Sequence, residues 1–202
     1  MTETTAATHR RRLSRFTGRG YDKGRSVPTI AAWLLVEPLQ RSILCPPSVR
    51  AKILRAFGAS IGEGTNIRND VRIHWPWKLT VGDHCWIGVG AYLLNLEPIT
   101  IGDDVCISQQ TFLCTGSHHA DDPAFEFDNA PIVVGDGAWV AARATVLRGV
   151  TIGQDAVVGA TVGTQGYTYA KEKINDNVQT FNDDASLAQA LDAGQIDALV
   201  AD

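Results

Sequence analysis

Two adjacent histidines, His118 and His119, follow the run Cys114-Thr-Gly-Ser and are the side chains best suited to acid–base chemistry. An imidazole titrates near neutrality, so a positioned histidine can remove the proton of a hydroxyl group. Successive side chains of an extended backbone point in opposite directions, so only one of the pair can serve. At this point a general base and an ordinary surface-loop histidine both fit His118. Structural or solvated roles are predicted for the other histidines, His9, His74 and His84.

A metal enzyme built on three convergent histidines, with a His-x4-His pair among them, is an alternative function. No two histidines of this chain are five positions apart, so no metal site is predicted. The four cysteines show no paired spacing either. Reduced thiols in a reducing compartment are the expectation for such a pattern.

The elements that would position these side chains follow from a six-residue repeat. Fourteen units open with a branched aliphatic residue. Most fifth places hold a small or β-branched residue; the exceptions are Trp77 and Glu97, each just before a unit that starts two residues late. A hexapeptide period of this kind predicts a parallel β-helix. The openers are Ile61, Ile67, Ile73, Val81, Ile87, Leu93, Ile101, Ile107, Leu113, Val134, Val140, Val146, Ile152 and Val158.

Each unit would form one side of about 20 Å, and three sides close a triangular coil with the openers inside. The predicted coils are 61–78, 81–98, 101–118 and 134–151, with their middle openers stacked on one face. Half of the second places hold glycine, which we expect to form tight corners at positive φ. The interval from Leu113 to Val134 exceeds one unit. A loop is therefore predicted at 119–131, and loops on a rigid scaffold often carry function.

The repeat divides the chain into four parts. They are a basic mobile arm at 1–26, a helical cap at 27–57, the β-helix with its loop at 58–162, and a fragment at 163–202. The first 25 residues hold seven basic residues, and a solvated tail is favoured over an arm that binds an anionic surface. Prolines 46 and 47 split the cap into two helical stretches. A repeat protein needs such a cap over the exposed end of its coil.

Localisation signals are few. The Arg-rich start is not followed by the apolar stretch of a signal peptide. Ile30–Cys45 is apolar but too short and too polar to cross a bilayer. We expect a cytoplasmic protein with no membrane span and no nucleic-acid partner.

Seven stretches between 13 and 160 carry a resemblance to a known family. They are Leu13-Ser-Arg-Phe16, Phe57 to Gly62, Pro76 to Leu79, Asn95 to Gly102, Ile107 to Gln110, Leu113 to His118, and Gly137 to Arg143. Through them the chain resembles the hexapeptide-repeat O-acetyltransferases, nearest to the colanic acid and exopolysaccharide group related to maltose and galactoside acetyltransferases. This resemblance implies an all-β fold, a left-handed parallel β-helix, a homotrimer, and acetyl-CoA bound between neighbouring subunits. It also implies a sugar or oligosaccharide acceptor and favours His118 as the general base.

The resemblance also implies binding residues. Asn95 would lie near the acceptor sugar, although an Asn that satisfies the backbone of its own corner is an equal alternative. Trp86 and Trp139 occupy sixth places that point outward. Trp86 is predicted to contact substrate and Trp139 the cofactor, with a contact between subunits as the alternative. Backbone N–H groups near Ala141, Ala142, Gly159 and Ala160 are implied for acetyl-CoA, and one of them could serve the oxyanion.

After Ala160 the resemblance stops. Residues 163–202 resemble a fragment of a periplasmic amino-acid-type solute-binding protein, an α/β-like segment too short for a complete lobe. Residues 161–202 carry two basic and seven acidic residues, a net charge of −5. Two alternatives to an active acetyltransferase follow. They are a folded but inactive trimer, whose C-terminus no longer serves acetyl-CoA, and a solute-binding module.

Overall fold

The computed structural model describes residues 11–158, and its strands are short because each covers only part of one side of a coil. Two 3-10 helices span Leu13–Arg15 and Pro76–Lys78, and two α-helices span Val27–Arg41 (α1) and Pro47–Ala56 (α2). The strands are β1 Ser60–Ile61, β2 Asn66–Ile67, β3 Arg72–Ile73, β4 Leu79–Val81, β5 Trp86–Ile87, β6 Tyr92–Leu94, β7 Ile99–Ile101, β8 Cys106–Ile107, β9 Phe112–Cys114, β10 Ile132–Val134, β11 Trp139–Val140, β12 Thr145–Leu147, β13 Thr151–Ile152 and β14 Val157–Val158.

Every third strand joins the same sheet, so the chain winds through three parallel sheets in turn. The sheet orders are β1-β4-β7-β10-β13, β14-β11-β8-β5-β2 and β12-β9-β6-β3. In the second sheet Ile67 pairs with Ile87, Ile87 with Ile107, and Ile107 with Val140. The prediction that these middle openers stack on one face of a parallel β-helix is confirmed.

The core is the interior of this coil, and the repeat openers fill it. All fourteen openers are buried in one hydrophobic cluster. Aliphatic side chains are required there because a polar group would have no partner inside the prism. The residues that point outward form a row on each of the three sheets. These outer rows are the surfaces of the coil on which a ligand or another chain can bind.

The corners depend on glycine for a different reason from the one expected. Positive φ occurs at the fourth places of the units, for example at His84 and Asp104, and not at the second-place glycine Gly82. A Cβ at Gly82 would lie 2.6 Å from the carbonyl oxygen of Gly102 and closer still to the Asp103 carboxylate. At Gly82 the missing Cβ therefore permits close approach of the next coil rather than a left-handed backbone.

Aspartate side chains connect these corners. Asp83 Oδ1 accepts a hydrogen bond from the backbone N–H of Glu63 at 2.6 Å. In the same way Asp103 Oδ1 accepts from the N–H of Asp83 at 2.8 Å. Asp136 Oδ1 accepts from the N–H of Asp103 at 2.9 Å. Each corner is thereby bonded to the next through a side chain as well as through the backbone. We call this series the aspartate ladder.

The two helices lie at the start of the coil, and α2 contacts β1 and β2. Trp33 of α1 is buried and donates its indole N–H to the carbonyl of His74 at 2.9 Å. Arg50 of α2 is also buried, and it donates to the carbonyls of Ile67 at 2.5 Å and Ser42 at 2.9 Å. These bonds join both helices to the first coil.

Residues 11–26 run along the protein surface and make specific contacts with the rest of the chain, and the mobile arm at 1–26 stays a prediction. The backbone N–H of Arg12 donates to the Pro123 carbonyl at 2.8 Å. The indole N–H of Trp77 donates to the carbonyl of Lys23 at 2.6 Å. The segment therefore forms part of the wall around the loop at 119–131. Residues 1–10 and the proposed fragment at 163–202 lie outside the described residues.

Candidate active site

His118 lies where the chain leaves the third coil, four residues after the end of β9. Its Nδ1 lies 2.7 Å from the carbonyl oxygen of Phe125. A carbonyl oxygen can only accept a hydrogen bond, so Nδ1 carries the proton and Nε2 keeps its lone pair. This contact selects the tautomer in which Nε2 is the basic nitrogen.

Three phenylalanine rings surround the half-buried imidazole. Phe125 stacks on His118 with ring centroids 4.3 Å apart and planes 8° apart, and Phe127 lies 5.1 Å away. Phe16 meets the imidazole edge-on at 5.6 Å. Packing on several sides restricts rotation of the ring, and a restricted ring is what a general base requires. Sequence reasoning assigned no role to these rings, although Phe16 belongs to a stretch that carries the resemblance.

The loop that carries Phe125 and Phe127 is tied down by Glu126. Its carboxylate accepts the N–H and the hydroxyl of Thr17, both at 2.8 Å, and the N–H of Gly18 at 3.1 Å. These bonds, the Thr17 N–H first, lower the pKa of Glu126. Residues 11–26 and the loop thus hold each other, and together they enclose His118.

His119 faces another direction, as alternation predicts. Its side chain is 58% exposed, and its Nδ1 lies 3.7 Å from Asp128 Oδ2. Asp128 also pairs with Arg148. Of the remaining histidines, His74 packs against the ring of Trp75, and burial lowers its pKa. His84 occupies a corner at positive φ. Neither lies among the rings around His118.

Asn95 is buried beside Trp75. It is 0% exposed, its Oδ1 accepts the N–H of Trp75 at 2.9 Å, and its Nδ2 donates to the Trp75 carbonyl at 2.6 Å. Both ends of the amide therefore bond to one backbone residue of the preceding coil. These contacts favour the alternative in which Asn95 stabilises a corner, and its assignment to acceptor binding stays a prediction.

Trp86, predicted to contact substrate, and Trp139, predicted to contact the cofactor, lie on the second sheet, whereas His118 follows β9 of the third sheet. Trp86 is 43% exposed, with the Arg68 guanidinium 5.1 Å from its ring centroid. Trp139 donates its indole N–H to Ser108 Oγ at 2.8 Å. The structure thus assigns the two tryptophans to the outer row of one sheet.

The backbone donors predicted for acetyl-CoA are only partly available. The N–H of Ala141 donates to the carbonyl of Val158 at 3.0 Å, so it cannot bind a cofactor or an oxyanion. Ala142 is exposed, and its small side chain leaves room for a ligand beside the coil. Gly159 and Ala160 lie outside the described residues. Ala141 and Ala142 follow β11 of the second sheet, whereas His118 follows β9 of the third sheet.

Within residues 11–158, no group of three or more His, Cys, Asp or Glu side chains is arranged to hold a metal ion. In the same part of the chain, neither helix is long and apolar enough to cross a membrane.

Comparisons with known proteins agree with the repeat and the coil. A family model described as the hexapeptide repeat of succinyl-transferase matches residues 78–108 and 131–162. Over 111 residues the chain is 49% identical to the putative colanic acid biosynthesis acetyltransferase WcaF of Escherichia coli (strain K12), which covers 55% of this chain and 61% of that protein. Galactoside O-acetyltransferase of the same organism is 26% identical over 114 residues, or 55% of this chain and 56% of that protein.

A solved structure extends the likeness. The hexapeptide-repeat containing acetyltransferase VCA0836 of Vibrio cholerae, complexed with acetyl coenzyme A, superimposes with a TM-score of 0.63 at 26% identity. The match covers 73% of this chain and 82% of that one. Over these residues the chain is similar to hexapeptide-repeat acetyltransferases. It spans about three fifths of the length of the curated relatives that it matches.

Proposed function

We propose that this protein is an acetyl-CoA-dependent O-acetyltransferase that acts on a hydroxyl of a sugar or exopolysaccharide precursor. The likeness to hexapeptide-repeat acetyltransferases and the acetyl coenzyme A of the Vibrio cholerae structure support the donor. The name of the 49% identical relative supports the acceptor class. The observation that carries the proposal is the bond between His118 Nδ1 and the Phe125 carbonyl, which leaves Nε2 as a base.

In the proposed reaction His118 Nε2 removes the proton of the acceptor hydroxyl as its oxygen attacks the thioester carbonyl. The new C–O bond forms, the C–S bond breaks, and the proton passes from His118 to the departing thiolate. The imidazolium that forms in between is stabilised because Nδ1–H still donates to the Phe125 carbonyl. The products are the acetyl ester and CoA, and His118 returns to its starting state.

We further propose a left-handed coil that assembles as a homotrimer, with acetyl-CoA in the cleft between neighbouring subunits. The placement of His118 after a strand of the third sheet, and of Trp139 and Ala142 at a strand of the second sheet, supports this arrangement. A neighbouring copy could place its second sheet opposite His118 and complete the site. The free cysteines, together with the donor, favour a cytoplasmic location.

The test is acetyl-CoA turnover, read as free thiol release, against a panel of neutral and charged sugars. His118→Ala should lower kcat by about 10²–10⁴, the usual contribution of a positioned general base. His119→Ala is the matched control, because its side chain is exposed and paired with Asp128, and it should change kcat only slightly. Equal or reversed effects would refute the assignment of His118.

A folded but inactive trimer is the second candidate, favoured by the net charge of −5 on residues 161–202. CoA carries phosphates, and acidic residues near them would be repulsive. Wild-type protein that trimerises but shows no thiol release with any sugar would favour this candidate. The solute-binding proposal concerns residues 163–202, outside the described part of the chain, and calorimetry with amino acids would test it.

A further inference from the structure

Helix α1 exposes a continuous row of large aliphatic side chains. Positions 27, 31, 34, 35, 38 and 39 recur at intervals of three and four, so they share one face of the helix. All six are exposed, and the row continues into the turn that follows the helix. Its large members are between 60% and 88% exposed: Val27, Leu34, Leu35, Leu39, Ile43 and Leu44. We call Val27, Leu34, Leu35, Leu39, Ile43 and Leu44 the apolar stripe.

The opposite face of α1 is apolar too, and the coil already covers it. Trp33 is buried there and Ile30 packs against the core. A surface helix normally has one apolar face, and a helix that is apolar all round is normally covered on all sides. An exposed row of this size marks an interaction surface. The apolar stripe therefore needs a partner that the single chain does not supply within residues 11–158.

The stripe carries no charge. The two charged residues of α1, Glu37 and Arg41, pair with each other at 3.5 Å, and Arg41 also pairs with Asp70 of the coil at 2.6 Å. Their charges are thus directed toward the coil. Protein interfaces are typically anchored by Trp, Tyr or Arg, and the stripe contains only Val, Leu and Ile. This composition suits hydrocarbon better than a second protein surface.

A strongly basic segment directly precedes the stripe. Residues 11–25 hold six Lys or Arg side chains against a single acid, Asp22, and all six cations are exposed. None of them takes part in an ion pair of the described residues. Arg25 lies beside the helix, where it lines a groove with Pro28 and Ala32.

We propose that α1 and its preceding basic segment dock on the surface of an anionic lipid bilayer. Apolar side chains that enter the acyl boundary, next to cations that meet acidic headgroups, are the two signals that together give stable peripheral binding. The helix lies in the plane of the interface and does not cross it. The docking does not depend on the acetyltransferase activity.

The experiment is co-sedimentation of the full chain with vesicles of phosphatidylcholine alone or mixed with phosphatidylglycerol. We expect binding to the mixed vesicles that weakens as salt rises, since exposed charges are screened. Leu35→Gln and Leu44→Gln should each weaken partition about tenfold, because each removes one aliphatic side chain from the interface. Leu147→Gln is the matched control: Leu147 is 58% exposed on β12, far from α1 in sequence, and its replacement should leave partition unchanged.

Lys23→Gln with Arg25→Gln should weaken binding to the mixed vesicles and leave the phosphatidylcholine result unchanged. The proposal is overturned if neither vesicle type binds the protein, or if Leu35→Gln and Leu44→Gln bind like the wild type. Sedimentation velocity without lipid measures the oligomeric state of each variant. A change of oligomeric state in the Leu35 and Leu44 variants, but not in Leu147→Gln, would instead assign the stripe to a second copy of the chain.

Discussion

Asn95→Ala should unfold the protein at a lower temperature without a direct effect on acceptor binding. The substitution removes the side chain that bonds both the N–H and the carbonyl of Trp75. Trp75 is only 6% exposed, so water cannot replace either bond easily. Each buried polar group left unpaired costs about 1–3 kcal/mol. We expect a loss of about 4 kcal/mol in the free energy of unfolding for the two groups.

For a chain of this size, 1 kcal/mol corresponds to about 2–4 °C in Tm. The apparent Tm of Asn95→Ala should therefore fall by roughly 8–16 °C in a fluorescence melting experiment. Asn66→Ala is the matched control, because Asn66 Oδ1 is buried without a hydrogen-bond partner in the structure. Removal of that amide should leave Tm nearly unchanged or raise it.

Steady-state kinetics provide the second readout. If Asn95 acts only through the corner at Trp75, the remaining folded enzyme should keep its KM for the sugar. An unchanged Tm together with a clearly raised KM would refute this reasoning and return Asn95 to the acceptor site.

Three further outcomes are expected. Gly82→Ala should lower stability by about 1–3 kcal/mol in chemical denaturation, because its Cβ would collide with the Gly102 carbonyl. Gly153→Ala is the control and should not, because no atom of residues 11–158 lies within 4 Å of the added Cβ. Glu126 has a lowered pKa in the folded state, so its contribution to stability is present above its unfolded pKa and is lost as pH falls through the folded value. When the pH is lowered from neutral to acidic, the Tm of Glu126→Gln should therefore fall less than the Tm of the wild type. Plots of Tm against pH that run parallel for the two proteins would contradict this. A family-type C-terminus in place of residues 161–202, which carry a net charge of −5, should tighten acetyl-CoA binding in calorimetry, and an unchanged Kd would refute the charge argument.

The coil could be predicted because the same six-residue pattern recurs in every unit. Each opener points inward, so a polar residue at any of these places would be buried without a partner. The same periodicity predicts which positions stack, and the pairing of Ile67, Ile87 and Ile107 follows it. Handedness is not contained in the spacing, because both hands bury the same residues.

The site could be predicted only in part, because its contacts are not periodic. His118 was identifiable from its motif, whereas the carbonyl that orients it belongs to Phe125, in a loop that obeys no repeat. The packing of Phe16 on His118 joins segments about 100 residues apart, and composition suggested only a solvated arm there. Asn95 shows the converse problem: an amide suits a sugar and a backbone corner equally well, and only burial decides between them.

The hydrogen bonds of the aspartate ladder do not depend on how many residues separate successive aspartates. Asp83 and Asp103 lie 20 residues apart and Asp103 and Asp136 lie 33 apart, yet the bonds to their backbone partners are 2.8 and 2.9 Å long. The extra residues leave as the loop around His118 and return without disturbing the stack. The register of the coil is therefore independent of the length of the loop that leaves it at this junction.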